Sequence, residues 1–436
     1  MRTSIRPTRT KSRRRKLPSI LICVLTTIAL GAAAARAQEG DLTGSAGVFI
    51  EPKRGRETAP RERNAPARTA PRRARTKPAT ANTAANTSNA NTSNPANTKA
   101  PVKTTPAVTA ESLNTRAGAA IEAGRFADAV EPLNQALKLK PGYADAHYNL
   151  GVALAALGRQ DEAIESFKRA VALDPDDAEA QFDLGEALHA KGRYAEAAEA
   201  FAHVTRVTQA NSEAFENLGD SYRELNRFAE AAAAYRDAAR LKTGDAEVLR
   251  KLGYALGRNK QWPEATDALK KVLALKPDDA EAAVNLAWVY NNSGQYRLSI
   301  DTLKPVVAAH PDMTAALFNL GTAYGHLALK GAKDDKEKKA LFAEAVETLN
   351  QVIRLKPDWP EAHNNLGVAL GSLGRFKEAI VAHAEAVRLK PDYAGALFNL
   401  AFAYKKSGDK KKALETYEKL KAVNPGMAER LYPLVK

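Results

Sequence analysis

The sequence predicts an all-α solenoid of helical hairpins preceded by a disordered linker, and three observations carry that prediction. From Ala110 onward the chain repeats itself with a period of 34 residues. Each period holds two apolar stripes at helical spacing, separated by a Gly-centred turn such as Gly158-Arg159 or Gly374-Arg375. Charge changes at the same boundary: residues 1–109 carry 21 Lys/Arg against 5 Asp/Glu, and residues 110–436 carry 44 against 45. The formal net charge of +15 therefore belongs to the leading segment, while the repeats are close to neutral. A groove for a polyphosphate would carry the basic excess itself, which argues against nucleic acid as the partner of the repeats.

The first element, residues 1–37, has the order of a secretory signal. Arg13, Arg14, Arg15 and Lys16 precede an apolar run from Ile20 to Leu30, and Ala35-Arg36-Ala37 supplies small residues where a signal peptidase reads. Cleavage after Ala37 is one reading; a retained membrane anchor over residues 17–35 is the other. Either way the basic flank stays cytoplasmic and the chain is exported, to the periplasm or the extracellular space. Ser12 to Leu17 also resembles a twin-arginine export signal, with lysine where that pattern prefers phenylalanine. Cys23, the single cysteine, lies inside this segment, so a cleaved chain would have no disulfide, thiolate metal site or cysteine nucleophile.

The second element, residues 38–109, is dense in Pro, Ala, Thr, Asn and Arg and almost without large apolar side chains. Such a segment cannot bury enough surface to offset chain entropy, so disorder is expected. As a flexible coil its 72 residues would span on the order of 50 Å. Its basic half, residues 53–77, suits contact with anionic lipid or wall polymer, and equally a plain solubilising role.

The third element, residues 110–427, is read as nine units. Their register marks are Leu150-Gly151, Leu184-Gly185, Leu218-Gly219, Leu252-Gly253, Leu286-Ala287, Leu320-Gly321, Leu366-Gly367 and Leu400-Ala401, spaced by 34 and once by 46. A second small residue and an aromatic or leucine follow, as in Ala163 and Phe167 or Ala231 and Tyr235, and a proline closes most units. Small residues mark close approach of two helices, and proline cannot continue the second helix. Asp176 to Glu179 and Asp278 to Glu281 resemble capping boxes for the next first helix. Three departures stand out. Gln209 and Thr243 replace the closing proline in units three and four; about twelve extra residues near 328–339 enlarge unit seven; and His383 takes an aromatic's place in unit eight. The last element, residues 428–436, reads as a capping helix in which Leu431 and Leu434 cover the final apolar face.

In these motifs the chain resembles the tetratricopeptide repeat family over about three quarters of its length. The resemblance implies a superhelix whose inner wall is built by the first helix of each unit, and partners that bind that wall as extended peptides or single helices. Counted from the start of each unit, the sixth place carries Asn149, Asn217, Asn285, Asn319, Asn365 and Asn399, with Asp183 and Lys251 interrupting the row. An amide side chain offers both a donor and an acceptor, so such a ladder can pair with peptide backbone without reading side chains. It looks like the asparagine ladder in the repeat domain of O-linked N-acetylglucosamine transferases; a solvated polar face is the competing reading. Neighbouring places carry Tyr148, Phe182, Tyr254, Trp288, Phe318, Phe398 and Phe402, which are either groove anchors or packing between first helices. Glu179, Glu186, Glu213, Glu216 and Asp220 precede Arg250, Lys251 and Arg258, which suggests a directional ligand or a solvated surface.

Catalytic chemistry finds no foothold in the sequence. The seven histidines are scattered without metal-ligand spacing, and no phosphate loop or nucleophile elbow occurs. No cofactor and no enzyme activity are expected. Three functions stay open: a scaffold that binds a protein or peptide partner at the cell envelope, a structural tether acting through the basic linker, and a targeting subunit for a glycosyltransferase in trans.

Overall fold

The structure, a computed structural model, describes Val48 and residues 108–436. The expectations for residues 1–37, for residues 53–77 and for nearly all of the linker lie outside the described residues. Those residues hold nineteen helices and no strand, and they fall into two compact units divided at Pro277 and Asp278. None of these helices is long and apolar enough to cross a membrane.

The first unit contains five hairpins: α1 (Ala110–Glu122) with α2 (Phe126–Leu139), α3 (Ala144–Ala156) with α4 (Gln160–Leu173), α5 (Ala178–Ala190) with α6 (Tyr194–Val207), α7 (Ser212–Glu224) with α8 (Phe228–Leu241), and α9 (Ala246–Arg258) with α10 (Trp262–Leu275). The second contains four: α11 (Ala280–Asn292) with α12 (Tyr296–Ala309), α13 (Thr314–Lys330) with α14 (Asp335–Leu355), α15 (Pro360–Ser372) with α16 (Phe376–Leu389), and α17 (Ala394–Ser407) with α18 (Lys410–Val423), closed by α19 (Pro425–Val435). Within each unit a first helix packs on its own second helix, and that second helix packs on the next first helix. The nine predicted hairpins are all present.

One contact repeats through both units and explains the period. A β-carbon added to Gly151 would lie 2.6 Å from the Phe167 ring, and the same clash recurs between Gly185 and Phe201, Gly219 and Tyr235, Gly253 and Leu269, and Gly367 and His383. The glycine lets the second helix press its large side chain onto the backbone of the first. Phe167 and Phe201 are buried, each burial being worth roughly 1.5–3 kcal/mol. His383 follows the same rule: it is fully enclosed under Gly367, with Nδ1 3.1 Å from Asn364 Oδ1, and burial lowers its pKa to about 3.

Turns and caps depart from the sequence reading in detail. Asp177, not Asp176, caps α5 by accepting from the Glu179 and Ala180 N–H groups at 3.1 Å, and Asp279, not Asp278, caps α11 by accepting from Ala282 N–H at 2.9 Å. The capping side chain must come from the last non-helical residue, which stands one place later than the motif suggested. The missing prolines in units three and four do not disturb the turn: Asn211 N–H bonds Thr208 C=O at 3.1 Å and Asp245 N–H bonds Lys242 C=O at 3.3 Å, as Asp177 does with Asp174. Most hairpin turns take their left-handed residue from glycine, Gly158 among them, whereas Asn226 (φ 57°) and Lys260 (φ 60°) fill that place elsewhere.

The insertion in unit seven extends both of its helices around a turn at residues 331–334. It lengthens α13 to 17 residues and α14 to 21, and Arg297 braces it through Glu337 at 2.8 Å. At the other end, α19 begins at Pro425 under an Asn424 cap, earlier than expected, and buries Ala428, Leu431 and Val435, with Leu434 partly buried. Val435 rather than Leu434 is the deeper partner of Leu431, because four residues bring a helix back to the same face.

Candidate peptide-binding site

Polar residues at the sixth place of the first helices are held inside the stacks. Asn149, Asn285, Asn319, Asn365 and Asn399 are buried, and only Asn217 is half-buried, so the expected exposed row is instead a largely buried one. Asn149 Nδ2 donates to Asn114 Oδ1 at 2.8 Å, Asn399 Nδ2 to Asn364 Oδ1 at 3.1 Å, and Asn365 Nδ2 to Thr322 Oγ1 at 3.3 Å. Each bond joins one unit to the one before it. A buried amide needs partners, and here the neighbouring helix supplies them.

Asn319 on α13 bonds a residue outside the repeats. Its Oδ1 accepts from the backbone N–H of Val48 at 2.6 Å, and its Nδ2 donates to the C=O of Val48 at 2.7 Å and to Val284 C=O at 3.5 Å. An extended residue presents its N–H and C=O to the same side, so one amide side chain can satisfy both, as a partner residue does in an antiparallel ladder. Val48 is half-buried and packs against the core that contains Val284, Ala287, Phe318 and Leu320. Sequence reasoning passed over Val48. The signal that would have found it is the run Val48-Phe49-Ile50, the one stretch of three consecutive large apolar residues between Gln38 and Thr109.

The aromatic row is mostly core. Tyr148, Tyr254, Phe318, Phe398 and Phe402 are buried, while Phe182 and Trp288 are half-buried. Tyr148 donates its hydroxyl hydrogen to Asp183 Oδ2 at 3.0 Å and lies 5.9 Å from the Phe167 ring. Phe182 meets Phe201 edge-on at 5.5 Å, and Phe318 stacks on Trp359 at 4.3 Å. Packing accounts for these rings, because a first helix in a solenoid has neighbours on both sides.

The expected separation of charge is also corrected. Lys251 is buried and donates to Glu216 Oε1 at 2.7 Å and to Asp220 Oδ2 at 2.8 Å, so acidic α7 and basic α9 neutralise one another. Asp220 Oδ1 also accepts from the Tyr235 hydroxyl at 2.7 Å, and Arg223 lies 3.7 Å from the same oxygen. Burial works against the Lys251 ammonium, yet Asp220 and Glu216 outweigh it and hold the pKa above its ordinary value. Burial, followed by the Asp220 charge, raises the Tyr235 phenol well above its own. Arg250 pairs with Glu247 on its own helix, and Arg258 covers the Phe228 ring at 4.4 Å while donating to the Tyr254 hydroxyl at 2.7 Å. Lys251 thus replaces an asparagine with a different device for the same task, joining neighbouring first helices.

Four further histidines stand in turn or packing contacts. His147 and His363 face the C=O groups of Pro141 and Pro357 at 3.0 and 2.7 Å. His326 is buried and stacks on Tyr296 at 5.1 Å, and burial lowers its pKa to about 4. His189 stands edge-on to Tyr194 at 5.0 Å, its pKa lowered by burial.

Comparison with known proteins agrees with this architecture. Tetratricopeptide repeat models match residues 114–178, 161–210, 182–246 and 216–280, and a second model with the same description matches 258–324 and 370–434. A TPR repeat model matches 342–374. None of the curated proteins matches the chain. Among solved structures, the chain is similar to YrrB, described as a TPR protein with an unusual peptide-binding site, at 23% identity over 42% of this chain and 95% of that one, with a TM-score of 0.39. It is similar to MamA from Desulfovibrio magneticus at 21% identity over 39% and 96%, with a TM-score of 0.35. The C-terminal part of a TPR repeat-containing protein from Cytophaga hutchinsonii aligns at 18% identity over 58% and 98%, with a TM-score of 0.44. With hairpins of the 34-residue period matched across residues 114–324 and 342–434, the chain belongs to the tetratricopeptide repeat family.

Proposed function

We propose that this chain is a non-enzymatic protein-interaction scaffold that grips a partner through the backbone of an extended peptide at Asn319. One observation carries the reading: a single buried amide bonds both the N–H and the C=O of Val48. That two-point contact reads extended conformation and is indifferent to side-chain identity, so specificity must come from the apolar contacts beside it. The Arg13–Lys16 and Ile20–Leu30 pattern further supports an exported chain acting at the cell envelope.

The test uses peptides selected from a random library on the full chain, titrated by calorimetry. Methylating the one backbone nitrogen that faces Asn319 is expected to weaken binding at least tenfold, as is Asn319→Ala in a chain whose helical circular dichroism is unchanged. Retained affinity in both cases would remove Asn319 from the site.

A further inference from the structure

We propose that the segment carrying Val48 is the chain's own ligand for the Asn319 site, so that an outside peptide binds there only by displacing it. The proposal rests on the peptide-binding reading above and adds the occupant. Val48 lies 271 positions from Asn319 in the sequence, and yet its N–H and C=O are both within 2.7 Å of that one side chain. Asn319 itself has no exposed surface with Val48 in place.

Three features separate this contact from ordinary packing. Three other amides of the row bond the preceding repeat: Asn149 bonds Asn114, Asn399 bonds Asn364, and Asn365 bonds Thr322. Asn319 instead turns its acceptor and its shortest donor bond to a residue outside the repeats, and reaches the neighbouring Val284 C=O only at 3.5 Å. The contact is also apolar as well as polar, since Val48 packs against the core that contains Val284 and Phe318. Lastly, the sequence sets Val48 in the one apolar triplet of a segment that otherwise holds only isolated large apolar residues such as Leu42 and Val102, which is the pattern of a short docking motif rather than of a spacer.

Tethering makes weak contacts effective. A ligand on the same chain acts at an effective concentration on the order of millimolar, so one with an intrinsic dissociation constant near 0.1 mM would reduce the apparent affinity of a competitor about tenfold. Occupation in cis therefore sets a threshold: partners that merely equal the resident segment in affinity stay excluded, and those that exceed it are admitted.

The experiment uses a fluorescent synthetic peptide with the sequence of residues 44–52, the full chain, and the variants Val48→Pro and Asn319→Ala. Proline at 48 removes the N–H that Asn319 accepts while leaving the repeats untouched. Val48→Pro is expected to bind the peptide at least tenfold more tightly than the unmodified chain, and the double variant is expected to lose that binding. Hydrogen exchange at the Val48 amide, followed by mass spectrometry, is expected to be slowed in the unmodified chain and to accelerate in Asn319→Ala, independently of protein concentration. Equal peptide affinity for Val48→Pro and the unmodified chain, with dependence on Asn319 retained, would overturn self-occupation and leave the peptide site standing. Protection that rises with protein concentration would overturn it in favour of exchange between two copies. Absence of peptide binding to every variant would overturn both this proposal and the site beneath it.

Discussion

A histidine in place of an aromatic ring gives the second unit a built-in acid sensitivity. His383 and His326 are both buried there, and burial holds them neutral, with pKa values lowered to about 3 and about 4. In the unfolded chain each titrates near its ordinary value of about 6.5, so below that pH the unfolded state binds protons that the folded state refuses. Their contribution is thus fully present above about pH 6.5 and is lost as pH falls, at about 1.4 kcal/mol per pH unit for each group. The urea midpoint of the full chain is expected to drop between pH 7.5 and pH 5. His383→Leu, the residue that occupies the same place as Leu269, is expected to change stability little at pH 7.5 and to reduce the drop on acidification. The opposite arrangement holds at Lys251, where removing the cation takes the shortest ion pair from each of two carboxylates and leaves Asp220 to Arg223 and Tyr235 and Glu216 to Lys242. Lys251→Met is expected to destabilise the chain by up to roughly 3–5 kcal/mol in urea titration, since breaking a buried pair leaves its carboxylates with only part of their compensating charge.

At the scale of the helix pair, the turn decides how much backbone strain each hairpin stores. Lys260 holds a left-handed conformation at φ 60°, where most other hairpins use glycine and one uses Asn226. A residue with a β-carbon is disfavoured there by roughly 1–2 kcal/mol, partly balanced by the greater chain entropy of glycine. Lys260→Gly is expected to raise the thermal midpoint of the chain, read as a gain of up to about 1 kcal/mol. No change on substitution would mean that the Lys260 conformation is held without strain. The hairpins themselves were legible in the sequence, because a 34-residue period and the Gly–aromatic pairing depend on neighbours 16 residues apart in one unit, as Gly151 and Phe167 are. Capping was legible only to within one residue. Asp176 and Asp177 stand side by side, and backbone dihedrals rather than residue type select the second.

For the whole molecule, each compact unit is a stack in which no hairpin buries its apolar face alone, so a terminal hairpin needs a cover. α19 serves that role for the second unit, and Lys405 ties it down by donating to the C=O groups of Val435 and Lys436. Truncation after Val423 uncovers the apolar faces of α17 and α18. It is expected to lower the urea midpoint and to increase binding of a hydrophobic dye, and an unchanged midpoint would show that α19 contributes no stability. The sequence by itself determined the all-α class, the number and order of hairpins, the place of the insertion and the need for a terminal cap, because these follow from periodic contacts between residues of one repeat or of adjoining ones. Tertiary structure alone decided what the asparagines, aromatics and charges do. Asn149 and Asn399 belong to the same sequence pattern as Asn319, yet two of them bond an amide in the previous repeat and one bonds Val48. The difference lies in which groups stand within hydrogen-bonding reach of each amide once distant segments are brought together, and no local spacing encodes that distance.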